Sequence, residues 1–166
     1  MDAPQVYDAT DIYRRTVVMV EASDEVSYGV DFFHVRGGND HNYSFHALGD
    51  TAELTGVELV SQKDEEGNYI GSYKDVNKAW GSKGSTNSWF GEVDTASDPG
   101  NGNVISMDWK ITDYYNVLKP ARPGLHLRLT MLNSFLLDEV TMTSGIPPQV
   151  VGAPESIKFL FARHTG

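Results

Sequence analysis

With 166 residues, 40% of them apolar and 22% charged, the chain has the length and composition of one soluble globular domain with its own core. A net charge of −10 and a pI near 4.8 speak against nucleic acid or an anionic membrane as partner, because both demand clustered lysine and arginine. No run approaches the roughly 18 apolar residues of a membrane helix, and the lack of cysteine rules out disulfides and thiolate metal sites.

Residues Met1 to Ile12 are polar, contain a proline, and are expected to form a loop or arm without the basic start and apolar stretch of a secretory signal. Three predicted strands follow. Tyr13 to Glu21 is rich in β-branched residues, the polar turn Ala22-Ser23-Asp24-Glu25 leads into Val26 to Arg36, and Gly37-Gly38-Asn39-Asp40 precedes His41 to Ala47. This pattern predicts a three-strand antiparallel meander. Glu53 to Ser61 alternates weakly as a fourth strand, and Gln62 to Asn68 is a charged loop.

Tyr69 to Ser88 is aromatic and glycine-rich without periodicity, which predicts a long loop. Trp89 to Val93 is expected to pair with Val104 to Ile111 across the turn between them. Pro120 to Gly124 is a connection. The clearest strand is Leu125 to Leu132, which sends Leu125, Leu127, Leu129 and Met131 to one face and His126, Arg128 and Thr130 to the other. Leu136 to Met142 and Ser156 to Arg163 complete the set, with Pro147 and Pro148 interrupting the ladder between them. Every apolar run is short and broken, so the expected fold is an all-β antiparallel β-sandwich, with few or no helices, occupying residues 1–166 as a single domain.

Several of these segments resemble the β-sandwich region of the heparinase II/III-like polysaccharide lyases. They are Tyr13-Arg14-Arg15-Thr16 followed by valines, a strand holding Asp31-Phe32-Phe33, a strand ending Phe45-His46-Ala47, and Ser156 to Arg163. The resemblance runs in order from about Tyr13 to Arg163. It implies a supersandwich-like domain and a fragment of a larger multidomain lyase, secreted or periplasmic. The activity implied is β-elimination on a uronic-acid polysaccharide, a glycosaminoglycan or alginate. The base and most substrate contacts would come from a helical toroid domain of the same parent chain, so the segment alone is expected to be inactive. The alternative is a non-catalytic carbohydrate-binding or structural interdomain sandwich. An acidic substrate demands local basic charge, and only Arg14, Arg15, Arg36 and Lys78 stand out against the overall −10.

His46 matches the last histidine of a zinc site found in members of that family. The His-x-His element and aspartate that would complete it are absent, so zinc is expected only as an incomplete site; His46 is otherwise an ordinary strand histidine. His41 lies five positions earlier, an odd offset that points the two rings to opposite faces of a regular strand. It is either a loop-tip residue or, with Arg128, a groove contributor. Asp31 in an apolar strand needs a partner, Arg14 or Arg15, and His34 shares its ambiguity.

His126 and Arg128 form either a solvated face or a pair able to neutralise a uronate carboxylate. Tyr73 and Trp80 are candidates for stacking on sugar faces, whereas Trp89 is expected in the core. Asp94, Asp98, Asn101 and Asn103 offer oxygen ligands of the kind calcium takes, or form a solvated turn. Asn42-Tyr43-Ser44 fits the acceptor pattern for N-glycosylation, weakened by its place in a strand. Phosphate-binding glycine loops, Gly-x-Ser-x-Gly and His-Glu-x-x-His are all absent.

Overall fold

Strict alternation of apolar and polar side chains, with glycine or proline between runs, makes a chain pleat rather than coil, and a computed structural model follows that pattern. It describes residues 2–3, 7–84, 86–97, 99, 104–148 and 151–166. The strands are β1 (Thr10–Glu21), β2 (Ser27–Gly37), β3 (Asp40–His46), β4 (Thr51–Thr55), β5 (Val60–Ser61), β6 (Phe90–Ser97), β7 (Ile105–Lys110), β8 (His126–Met131), β9 (Glu139–Gly145) and β10 (Ile157–Thr165). Two single 3-10 turns, Asn87–Trp89 and Ser134–Leu136, are the only helical pieces among the described residues.

The chain divides into two compact units, one formed by residues 1–41 with 165–166 and the other by residues 42–164. In the first, β1 and β2 make an antiparallel ribbon in continuous register from Ile12↔Arg36 to Glu21↔Ser27. Its polar turn closes where the amides of Ala22 and Ser23 donate to the Val26 carbonyl. Arg15 grips Asp31 through Nε and an Nη, at 2.6–3.0 Å, so the strand carboxylate finds its partner across the hairpin. Arg14 turns instead to Asp2.

In the larger unit, sheet order β3-β10-β9-β6-β5 packs against sheet order β4-β7-β8, giving the all-β antiparallel sandwich. Odd-numbered residues of β7 supply the centre: Ile105, Met107 and Trp109 are fully buried, meeting Val140 and Leu160 of the facing sheet. Each such side chain contributes about 1.5–3 kcal/mol by leaving water. Trp109 also ties the layers together, its indole N–H donating to the Lys158 carbonyl at 2.8 Å. On the far side of the larger sheet, Phe159, Phe161 and Phe90 stack edge to face beneath Tyr73.

Two pairings differ from the sequence-based expectation. β3 neighbours β10 and does not complete a meander with β2. Nor does β6 pair with β7: β6 lies between β9 and β5, while β7 lies between β4 and β8, in the other layer. Period-2 alternation fixes which face of a strand is buried and leaves its neighbour open. Here the neighbours come from the distant β9 and β10. The weak fourth strand also splits, because Gly56 turns at φ +91° between β4 and β5.

Candidate functional site

The outer face of the smaller sheet is built by the same alternation that buries Trp109. Directly opposed residues of an antiparallel pair share a face. In register, Lys110 meets His126, Asp108 meets Arg128, and Ser106 meets Thr130; on the other side Thr51, Glu53 and Thr55 meet Lys110, Asp108 and Ser106. The result is a polar grid three strands wide. At its centre a single carboxylate holds both members of the pair expected from the sequence: Asp108 accepts from His126 Nδ1 at 2.6 Å and from Arg128 at 2.9–3.0 Å. The hydrogen bond from His126, then that from Arg128, holds the Asp108 carboxyl below its usual range.

This arrangement orients the imidazole with Nδ1 engaged and leaves Nε2 for a second partner, as a positioned acid or base requires. The charges of Glu53 and Asp108 are matched by those of Lys110 and Arg128. The grid thus presents a guanidinium and an imidazole held side by side. His126 and Arg128 were legible as a pair on one face, but the aspartate that joins them was not, because only the register of β7 against β8 brings it there.

A second grouping lies at the start of β6. Glu92 takes a positive φ of 48° at a bulge where the ladder to β9 shifts between Gly91 and Asp94. Bulges re-aim a side chain, and non-glycine residues in this conformation are strained. The Glu92 carboxylate thereby accepts from the buried Ser144 hydroxyl and from Lys158 Nζ at 3.0 Å, while Lys158 also donates to Ser144 Oγ at 2.6 Å. The serine hydrogen bond and then the ammonium hold Glu92 below the ordinary carboxylate range. The three side chains thus form a closed clamp between β6, β9 and β10. Nothing in the local sequence announces it.

Trp80 covers this end of the sheet. Its ring lies so close to Gly91 that no Cβ fits there, and its indole N–H donates to the Trp89 carbonyl at 3.3 Å. Trp80 remains 36% exposed and Trp89 51% exposed. Trp89, expected in the core, is therefore half in solvent, because the 3-10 turn before β6 lifts it away from the sheet. Tyr73 goes the other way. It is only 6% exposed, packed on Phe161 with its hydroxyl 3.4 Å from Asn42 Nδ2, and so serves the core rather than a sugar platform. The long glycine-rich segment is no free wall. A backbone hydrogen bond from Tyr73 to Phe90 fastens it to β6, and one from Gly81 to Ser88 closes the segment on itself.

His46 ends β3 with its ring stacked 4.4 Å from that of Phe159, and burial lowers its pKa. Among the described residues no three His, Asp or Glu side chains converge into a metal site, so these residues do not fit a zinc centre by themselves. His41 folds back on its own turn, 2.7 Å from the Gly37 carbonyl, and alternation along β3 turns it to the face opposite His46. Asp94 is occupied by the hydroxyls of Ser61 and Tyr69, and burial, with the bond to Asp94, raises the tyrosine pKa. Asp98, Asn101 and Asn103, the remaining oxygen ligands read as a calcium option, lie outside the described residues.

Comparison with protein-family models, curated proteins and solved structures finds no match to the chain.

Proposed function

We propose that this chain is the β-sandwich region of a polysaccharide lyase similar to the heparinase II/III group, secreted or periplasmic. The parent would act by β-elimination on a uronic-acid polysaccharide such as a glycosaminoglycan or alginate. The observation that carries the proposal is the agreement of motif and fold: the four segments on which the resemblance rests are β1, β2, β3 and β10 of an antiparallel all-β protein.

Elimination needs the substrate carboxylate neutralised, the adjacent proton removed and the leaving oxygen protonated. In this proposal Arg128 and His126 meet the first need, steered by Asp108, and a helical toroid domain of the parent supplies the base. Zinc held through His46 belongs to the parent as well, with its other ligands from outside this chain; elemental analysis of the parent that finds no zinc removes it.

A second reading, a non-catalytic carbohydrate-binding sandwich, is favoured by the paired exposure of Trp80 and Trp89. Incubating the purified chain with acidic polysaccharide separates the two from a self-sufficient enzyme. Retention without unsaturated uronide is expected. Unsaturated product from these 166 residues alone overturns the division of labour proposed here, and Trp80→Ala with retention intact counts against the binding-module reading.

A further inference from the structure

We propose that the β1–β2 ribbon docks against another folded polypeptide through an apolar groove bordered by lysine or arginine. One face of the ribbon is apolar from its middle toward its tip, the other carries Met19 and Val17 beside the Arg15–Asp31 ion pair, and among the described residues only the bridge of Asp2 to Arg14 adds to its two strands. Across one face the register sets Val18 beside Val30, Val20 beside Tyr28, and Thr16 beside Phe32; across the other, Met19 lies over Gly29 next to Val17. Met19 is 71% exposed and Phe32 61%, with Val17, Val18, Tyr28 and Val30 also open to solvent. An isolated two-stranded hairpin is marginal in water, and a contiguous apolar surface of this kind marks a contact site.

Charge selects the occupant. The three arginines of the ribbon are each neutralised at its base, Arg14 by Asp2, Arg15 by Asp31 and Arg36 by Asp11. At the tip Glu21, Asp24 and Glu25 are exposed and carry no ion pair among the described residues. The apolar ribbon thus ends in uncompensated negative charge. A complementary surface is apolar at its centre and basic at its border, because like charge across an interface is costly. A second copy of a chain with net charge −10 and the same acidic tip is a poor match, as is an anionic membrane. The inference rests on the ribbon alone and stands apart from the lyase proposal.

The test uses the full chain and three synthetic helical peptides: a leucine stripe bordered by lysines, the same stripe bordered by glutamates, and the lysine peptide with its stripe scrambled. Amide resonances of residues 16–32 should shift with the lysine-bordered stripe, which should bind about tenfold more tightly than either control. Glu21→Lys with Glu25→Lys should reverse the preference between lysine and glutamate borders. Phe32→Thr should weaken binding of the stripe while the far-ultraviolet circular dichroism is unchanged. Equal affinity for the two charged peptides, or shifts confined to residues outside the ribbon, overturns the proposal. So does sedimentation showing self-association that Phe32→Thr abolishes, since the ribbon would then be covered by its own copy.

Discussion

Trp109 joins the two layers of the sandwich by packing and by a hydrogen bond, and the two contributions can be separated. Its side chain is 0% exposed, wedged against Phe45, with Nε1 2.8 Å from the Lys158 carbonyl in the opposite sheet. Trp109→Phe keeps most of the ring and removes the donor. The stranded carbonyl costs about 1–3 kcal/mol and the missing ring volume on the order of 1 kcal/mol more, so a loss of about 2–4 kcal/mol is expected. Trp109→Ala adds a cavity worth about 3–5 kcal/mol to the stranded carbonyl, a large share of the roughly 5–15 kcal/mol that holds a domain together.

Urea unfolding followed by far-ultraviolet circular dichroism reads the difference without relying on tryptophan emission. With a denaturant slope of about 1–3 kcal/mol/M, Trp109→Phe should lower the midpoint by on the order of 1–2 M, and Trp109→Ala should leave little folded protein. A Trp109→Phe midpoint within about 0.3 M of the parent chain would refute the placement of Trp109 as the bridge between layers.

The remaining expectations concern pH, close packing and charge. Glu92 and Asp108 have carboxyls held below the usual range, so the unfolded chain takes up their protons first. Their stabilisation is complete above the unfolded carboxyl range near pH 4 and is lost as pH falls through the folded values, and Glu92→Gln should flatten that loss in acid unfolding curves. Burial lowers the His46 pKa, so the unfolded state protonates first here too, and stability should begin to fall below about pH 6.5; His46→Phe should remove that earlier slope. Gly145→Ala drives a Cβ into the Phe159 ring and Gly91→Ala drives one into Trp80; each should cost about 1–3 kcal/mol in the same urea assay, whereas Gly67→Ala meets no neighbouring atom and carries only the strain of its left-handed φ of +87°. Arg128→Ala should change stability by less than about 1 kcal/mol, since its pair with Asp108 is exposed, yet weaken retention on acidic polysaccharide about tenfold.

How far the sequence led depends on which physical signal each feature leaves. Alternation in His126 to Met131 and in β7 is a local signal, and it placed His126 and Arg128 on the polar face and Trp109 within a strand. Proline at 147 and 148 and glycine at 37 and 38 are equally local, and they bound strands as expected. Asp31 sits in an apolar run, and its need for a counter-charge was met by Arg15 across the hairpin.

Sheet order depends instead on contacts between segments far apart in the chain. Hence β3 joins β10, and β6 and β7, adjacent in sequence, lie in different layers. The Glu92 clamp was hidden for the same reason. A bulge of one extra residue against β9 turns the carboxylate toward Ser144 and Lys158, and no pattern of residue types in Trp-Phe-Gly-Glu-Val foretells it. Tyr73 and Trp89 exchanged their expected places because a 3-10 turn and a set of backbone hydrogen bonds, rather than periodicity, decide which aromatic of the connecting segment reaches the sheet.

The most direct test is a calorimetric titration of the chain with a uronic-acid oligosaccharide and with the same oligosaccharide after its carboxyl groups have been reduced to alcohols. Binding of the acidic form is expected, weakening as salt screens the exposed Arg128 and His126, with the reduced form bound far more weakly. Equal affinity for both forms, or heat from neither, would contradict the proposal that this sandwich binds an acidic polysaccharide.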